Sequence, residues 1–480
     1  MSRTSVACME NAVFASLKNR IKPAQVALDG YPWLLATVLY TLSWGGSLLR
    51  PNTLYWDDWA FIYGQPKSYL NQIFIDTGLP PWRAIIDQEL IAIGYWTIPV
   101  LTFFMFFCSS ICLHLILQTI SAISKNQNKY ITLLFLILPI NQSRIALVLF
   151  GYTSSYFLFF LAWLLLVRSK KLSTFLITLI LFFWSFMTHS FLFFYALPVI
   201  HLIAIQYFGR KIGLRNLRFF LQVICLLLLP FVYYFLRSLL WYPKPEWDGY
   251  HSMTRDGAIR GLIFAVIGSL IAGIVVIAGK WFDSSSKSPL IVFVGWIIFA
   301  WSLFPYFANS RLPDFISVFA FRSDWGGRHI MLTPLGASLI IGGLSETISR
   351  HYKNTFLYLA LTICLVINLF FATQFFLDSL KKEELTELFI EAGSSRRINN
   401  KSKLYFVDET KFFNGRFSTY GDAELSAKLL IAKVKVESIT GKASCRDIPN
   451  AVEVKLKTTR SYLSALLSRD LGLYFEISEC

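Results

Sequence analysis

Two carboxylates stand side by side at Asp57 and Asp58, bracketed by Trp56 and Trp59 in the run Asn52-Thr53-Leu54-Tyr55-Trp56-Asp57-Asp58-Trp59-Ala60-Phe61. The run follows the first long apolar segment, so the pair falls where a chain leaving a bilayer meets water. An ionisable pair at that level is costly and points to a functional site. A positioned carboxylate can take the proton of a hydroxyl nucleophile as it attacks. Two adjacent carboxylates also repel, so that one can hold a raised pKa or the two can share a cation. A structural reading competes, in which Asp58 caps the helix that follows it through a backbone amide. The sequence does not rank Asp57 against Asp58.

Other chemistry-bearing residues gather in similar segments. Arg311, Arg322, Arg328 and His329 lie between two apolar runs, with Gly326-Gly327 directly before Arg328. The glycines permit close backbone approach, while snorkelling at the membrane edge explains an interfacial arginine equally well. The segment Trp241-Tyr242-Pro243-Lys244-Pro245-Glu246-Trp247-Asp248-Gly249-Tyr250-His251 joins Glu246, Asp248 and His251 to aromatic side chains. An interfacial aromatic belt is its competing explanation. His189 occupies a tight turn between two apolar runs. No pair of histidines has helical ligand spacing and no Cys-X-X-Cys pattern occurs, so a divalent metal is conceivable but not expected.

The elements that must position these residues are membrane spans. Hydrophobic residues make up 55% of the 480 and charged ones only 15%, with a mean hydropathy of +0.53. That leaves too little polar surface for a soluble globule of this size. The net charge of +16 does not indicate nucleic acid, because Lys and Arg concentrate in short segments between apolar runs, with no zinc-finger spacing or recognition-helix pattern. Apolar runs at about 31–49, 96–119, 130–140, 152–167, 173–188, 190–208, 219–240, 259–279, 289–308, 329–345 and 355–376 predict an all-α polytopic membrane domain of about eleven helices over 31–376.

Alternate connections sort by charge. One set carries Lys125 and Lys129; Arg168, Lys170 and Lys171; Arg210, Lys211, Arg215 and Arg218; Lys280 and Lys287; and Arg350 and Lys353. By the positive-inside rule this side is cytoplasmic, together with residues 1–30. The opposite set holds the acidic pair, Asn141 to Arg144, His189, Trp241 to Arg260 and Asn309 to His329, and is expected to converge on the outer face.

Two further regions lie on that face. Residues 51–95 form a long first outer loop, in which Tyr69 to Ile75 and Trp82 to Ile91 read as interfacial helices. Residues 377–480 read as a small extracytoplasmic α+β domain, with strands at Lys403 to Val407, Leu429 to Val436 and Ala451 to Lys457, and helices at Asp378 to Ala392 and Ser461 to Leu471. Cys445 and Cys480 fall there and are disulfide candidates in an oxidising compartment. Cys108, Cys112, Cys225 and Cys364 lie in spans.

A first span opening into an outer loop with an acidic pair, interfacial loop helices, many short spans and an outer carboxy-terminal domain resembles the GT-C class of integral-membrane glycosyltransferases. The residues carrying the resemblance are Tyr55-Trp56-Asp57-Asp58-Trp59 at the end of span one and Gly326-Gly327-Arg328-His329 at the start of span ten. In length and plan the chain is similar to the glucosyltransferases that modify O-antigen.

The resemblance implies transfer of a sugar from a polyprenyl-phosphate carrier to a surface glycan of the O-antigen or lipopolysaccharide type, at the bacterial inner membrane. Asp57 or Asp58 would be the general base. Arg328, with His329 and Arg322, would meet the phosphate leaving group, and Trp56, Trp59, Glu246, Asp248 and His251 would contact substrate. No cofactor is expected; the partners are the lipid-linked donor, the glycan acceptor and membrane lipid. A flippase or other transporter is the rival class. It is disfavoured by charges that crowd outside the bilayer and by the absence of an internal repeat. An O-antigen polymerase is a nearer rival, and would more naturally carry its dominant loops late in the chain.

Overall fold

The structure, a computed structural model, describes residues 30–55, 58, 62–63, 67–139, 142–169, 171–208, 217–244, 254–282, 288–308, 333–348, 350–395, 403–410, 428–431, 433, 437–439 and 451–479. Each of the eleven apolar runs contains a helix: Trp33–Trp44, Thr97–Leu117, Lys125–Ile137, Phe150–Arg168, Leu172–Ser185, the pair Ser190–Phe194 and Ala196–Phe208, Leu217–Leu240, Arg255–Phe282, Ser288–Ala308, Thr333–Thr347 and Arg350–Ser394. Among the described residues, six helices are long and apolar enough to cross a membrane. Apolar side chains also point outward, as Phe220, Leu228, Phe231 and Phe235 do on one helix and Leu262, Val266 and Leu270 on another. An outward apolar surface of that extent needs lipid around it. The protein is a polytopic, mainly helical membrane protein with a small carboxy-terminal sheet.

Small residues set the tightest contacts between helices. A Cβ on Gly336 would lie 2.5 Å from the Phe299 nitrogen, and one on Gly295 would lie 2.9 Å from that of Ile340. Helices Ser288–Ala308 and Thr333–Thr347 therefore approach almost backbone to backbone, as small residues permit in membrane bundles. The main core is aromatic, with Phe106, Phe135, Tyr156, Phe159, Phe160 and Phe191 among its buried members.

The loop helices form where expected, at Lys67–Asp76 and Pro81–Ile93, the second with Pro at its first position. The last span and the first helix of the tail are one element. Helix Arg350–Ser394 has 45 residues and is roughly 67 Å long at ~1.5 Å per residue. No Gly or Pro interrupts it before Gly393, so nothing breaks it where the chain turns polar.

In the tail, β1 (Lys403–Asp408), β2 (Glu437–Ile439), β3 (Ala451–Thr458) and β4 (Leu473–Glu479) form a sheet of order β2-β1-β3-β4. β1 runs parallel to β2 and β3, and β4 antiparallel to β3. One face packs Leu404, Val454 and Leu456 on Leu385, Phe389 and Ala392 of the long helix; burial of each large side chain contributes ~1.5–3 kcal/mol.

The strand expected at Leu429 to Val436 does not form over its described residues, 429–431 and 433. Residues 428–431 make a helical turn, and Lys433 takes a left-handed φ of 56°. Leu429 buries against the long helix while the Lys428 Nζ bonds the Lys382 carbonyl, two anchors that a single extended strand would separate. The strand forms later, at Glu437–Ile439. β4 had no counterpart in the expectation, although Leu473, Phe475 and Ile477 alternate inward along it. Expected helix Ser461 to Leu471 is shorter, Tyr462–Ser468, with Ser461 as its N-cap.

Candidate functional site

Asp58 is buried, with 0% of its surface exposed. Its own N–H donates to the Tyr55 carbonyl at 2.9 Å, and its Oδ2 accepts the Tyr55 N–H at 2.9 Å. Oδ2 also accepts the Leu147 N–H at 3.0 Å, and Oδ1 accepts the Val148 N–H at 3.0 Å. The two outer amides are available for a local reason. The helix Lys125–Ile137 stops before Pro139, and the chain then winds through 3₁₀ turns Gln142–Ile145 and Leu147–Leu149 into Phe150–Arg168. The first N–H groups of a helix have no partner within it and favour negative charge. Asp58 therefore caps the 3₁₀ turn Leu147–Leu149, from a distant part of the chain; the residues directly after it, 59–61, lie outside the described residues.

Burial pushes the Asp58 carboxyl up to about 7, against the pull of three backbone N–H groups and of Lys382. An ionised carboxylate offers about four lone-pair sites, and three are occupied here. The arrangement suits a group that holds the acidic loop in place more than one that meets a substrate hydroxyl.

Arg144 anchors the strap that carries those amides. It is buried, donates to Ser43 Oγ at 3.2 Å and sits over the rings of Trp44, Tyr40 and Phe106 at 5.0, 5.5 and 5.6 Å. Desolvated cation–π contacts of this kind are worth about 2 kcal/mol. Arg144→Lys keeps the charge but loses the planar stacking. We expect it to lower folding stability by about 1–2 kcal/mol, read as a lower melting temperature of the protein in detergent.

A further buried carboxylate in the connection after the first apolar helix is Asp87. Burial raises it to about 6, against the pull of Arg83, whose Nε lies 4.0 Å from its Oδ2. The Arg83 guanidinium lies over Phe74 and Tyr152 and directly against Gly151, where a Cβ would come within 1.9 Å of it. The loop helices are thus docked on the start of Phe150–Arg168, next to the turn that Asp58 caps.

The segment after Leu217–Leu240 joins them. Trp241 meets Trp82 edge-on at 5.0 Å, and Lys244 Nζ pairs with Asp76 at 2.8 Å. Arg237 donates to the Gly78 carbonyl at 3.4 Å. The described end of the Trp241 segment thus packs on the loop helices. Of the residues singled out in the sequence, Asp57, Trp56, Trp59, Glu246, Asp248, His251, Arg311, Arg322, Arg328 and His329 lie outside the described residues, as do Cys445 and Cys480. His189 is at the turn after Leu172–Ser185, its ring 6.0 Å from that of Tyr233. Among the described residues no cluster of three His, Cys, Asp or Glu side chains forms a metal site.

The structure adds residues to which the sequence assigned no role: Arg83, Asp87, Arg144 and the lysines of the long helix. Arg83 and Asp87 did carry a signal, an i,i+4 charge pair within an amphipathic loop helix. Asp58's true partners carried none, because they are backbone amides of Leu147 and Val148.

No protein-family model matches the chain, and no curated protein sequence does. Among solved structures, that of ArnT from Cupriavidus metallidurans bound to undecaprenyl phosphate aligns with 92% of this chain and 97% of that chain, at 10% sequence identity and a TM-score of 0.36. That likeness is distant.

Proposed function

We propose that the protein is a GT-C-type membrane glycosyltransferase. It would move a hexose from a polyprenyl-phosphate carrier to a surface glycan of the O-antigen or lipopolysaccharide type, at the outer face of the bacterial inner membrane. The observation that carries this reading is the carboxylate locked by three backbone N–H groups where the chain enters helix Phe150–Arg168, beside a second carboxylate in sequence. In this reading Asp58 positions the loop, and Asp57 is the general base. The acceptor hydroxyl bonds to the anomeric carbon as its proton passes to Asp57, and the bond to the carrier phosphate breaks with its electron pair on the phosphate oxygen. Arg328, assisted by His329 and Arg322, stabilises that developing charge. Trp56, Trp59, Glu246, Asp248 and His251 present aromatic faces and polar groups to sugar C–H faces and hydroxyls. A bound divalent metal is not required by this scheme.

Mass spectrometry of surface polysaccharide from cells with the gene intact and deleted tests the reading. Loss of one hexose-sized increment supports it. Loss of chain length alone would instead indicate a polymerase, and loss of all surface glycan a flippase.

The charge asymmetry supports an amino terminus inside and a carboxy terminus outside. A phosphatase fused after Cys480 is therefore expected to be active, and a reporter that works only in the cytoplasm to be silent there. The reverse pattern would overturn the topology.

A further inference from the structure

Four consecutive residues of the long helix each grasp a different part of the molecule. Lys381 Nζ pairs with Asp408 at the end of β1 at 2.5 Å and donates to Thr410 Oγ1 at 2.6 Å. Lys382 Nζ lies 3.2 Å from Asp378 Oδ2, donates to the Leu54 carbonyl at 3.2 Å and sits 4.9 Å from the centre of the Tyr55 ring. Glu383 pairs with Arg50 at the end of the first span. Glu384 accepts the N–H groups of Leu471 and Leu473, at 2.6 and 3.2 Å, where β4 begins. From the tail, Lys428 Nζ reaches the Lys382 carbonyl and Thr386 Oγ1, each at 3.1 Å. One helical turn thus binds the tail and the start of the acidic loop together.

The contact made by Lys382 is specific. The peptide group between Leu54 and Tyr55 is held at its oxygen by the Lys382 ammonium and at its N–H by Asp58 Oδ2. A cation on the carbonyl and a carboxylate on the N–H polarise the same amide in the same sense, so each bond strengthens the other. Both lysines are almost wholly buried, where such interactions are screened least.

We propose that Lys382 is a positioning residue for the acidic pair, acting on Asp58 through the Leu54–Tyr55 peptide, and that the carboxy-terminal domain sets the geometry of the acidic loop through the 381–384 turn. The inference rests on the proposed transferase reading for its consequence in catalysis, but not for the coupling itself. It gives the tail a task within the reaction centre although it supplies no reacting group.

The test uses the full-length protein in lipid nanodiscs and two readouts, amide hydrogen exchange and transfer kinetics. In Lys382→Met, exchange at the Tyr55, Leu147 and Val148 amides is expected to rise about tenfold while the aromatic core keeps its protection. kcat is expected to fall about a hundredfold with a much smaller change in KM. Lys382→Arg, which keeps a cation and a donor, restores most of both, and Lys381→Met loosens the same amides from the tail side. Unchanged exchange at the three amides in Lys382→Met and Lys381→Met would overturn the proposal, as would a uniform rise across the whole chain. If the wild-type protein transfers no sugar, the transferase reading fails, and the exchange data still decide the coupling.

Discussion

Asp58→Asn should cost the protein both its fold stability and its activity. The amide keeps one acceptor oxygen but turns an NH₂ group toward a backbone N–H that needs an acceptor. The amide oxygen can still take the two bonds of Oδ2, so one donor, the Val148 N–H, is left unsatisfied, at a cost of about 1–3 kcal/mol. For a protein of this size that is a fall in melting temperature of roughly 1–3 °C. Transfer should fall to background, since the loop carrying Asp57 is no longer tied to the strap at Leu147 and Val148. Thermal melting in detergent and glycan analysis of the same strain check the two effects together.

The pH dependence of the same group has a defined sign. Its carboxyl stands at about 7 in the folded protein against an ordinary value of 3.8. Between those values the folded state binds more protons than the unfolded one. The contribution of this group to stability is therefore fully present below about pH 4 and is lost as pH rises through about 7. Melting temperatures compared between wild type and Asp58→Asn across pH 4–8 should differ by this component; parallel curves would show that Asp58 does not titrate in that window.

Asp57→Asn has a different signature. If Asp57 takes the proton of the acceptor hydroxyl, the amide removes that step and leaves the lock intact. Transfer is expected to fall by about 10²–10⁴-fold, with melting within about 0.5 kcal/mol of wild type. The contrast between neighbours is the informative result: loss of activity with stability retained at Asp57, and loss of both at Asp58. Equal loss of stability in the two variants would mean that both carboxylates are structural.

The acidic pair was legible in the sequence because two charges beside two tryptophans are conspicuous at the end of an apolar run. The helix order was legible for the same reason, since 55% hydrophobic residues broken by short basic connections leave few alternatives. Not legible was what Asp58 binds. The N–H groups of Leu147 and Val148 carry no side-chain signature, and their availability depends on Pro139 ending one helix before the next begins. Lys381 and Lys382 were visible as charges, but only the unbroken helix to Ser394 places them between the tail and the loop. Leu429 shows why the tail was harder: a hydrophobic run beside β-branched residues reads as a strand until the long helix and Lys428 draw it into a turn. In β4 the alternation of Leu473, Phe475 and Ile477 was present in the sequence and was obscured by the preceding helix pattern.

The most direct measurement is the mass of surface polysaccharide from cells carrying the wild-type gene, a deletion, and Asp57→Asn expressed at wild-type level with unchanged melting. The expected result is that both the deletion and Asp57→Asn lose the same hexose-sized increment. Full modification in the Asp57→Asn strain would contradict the assignment of the chemistry to the first outer loop.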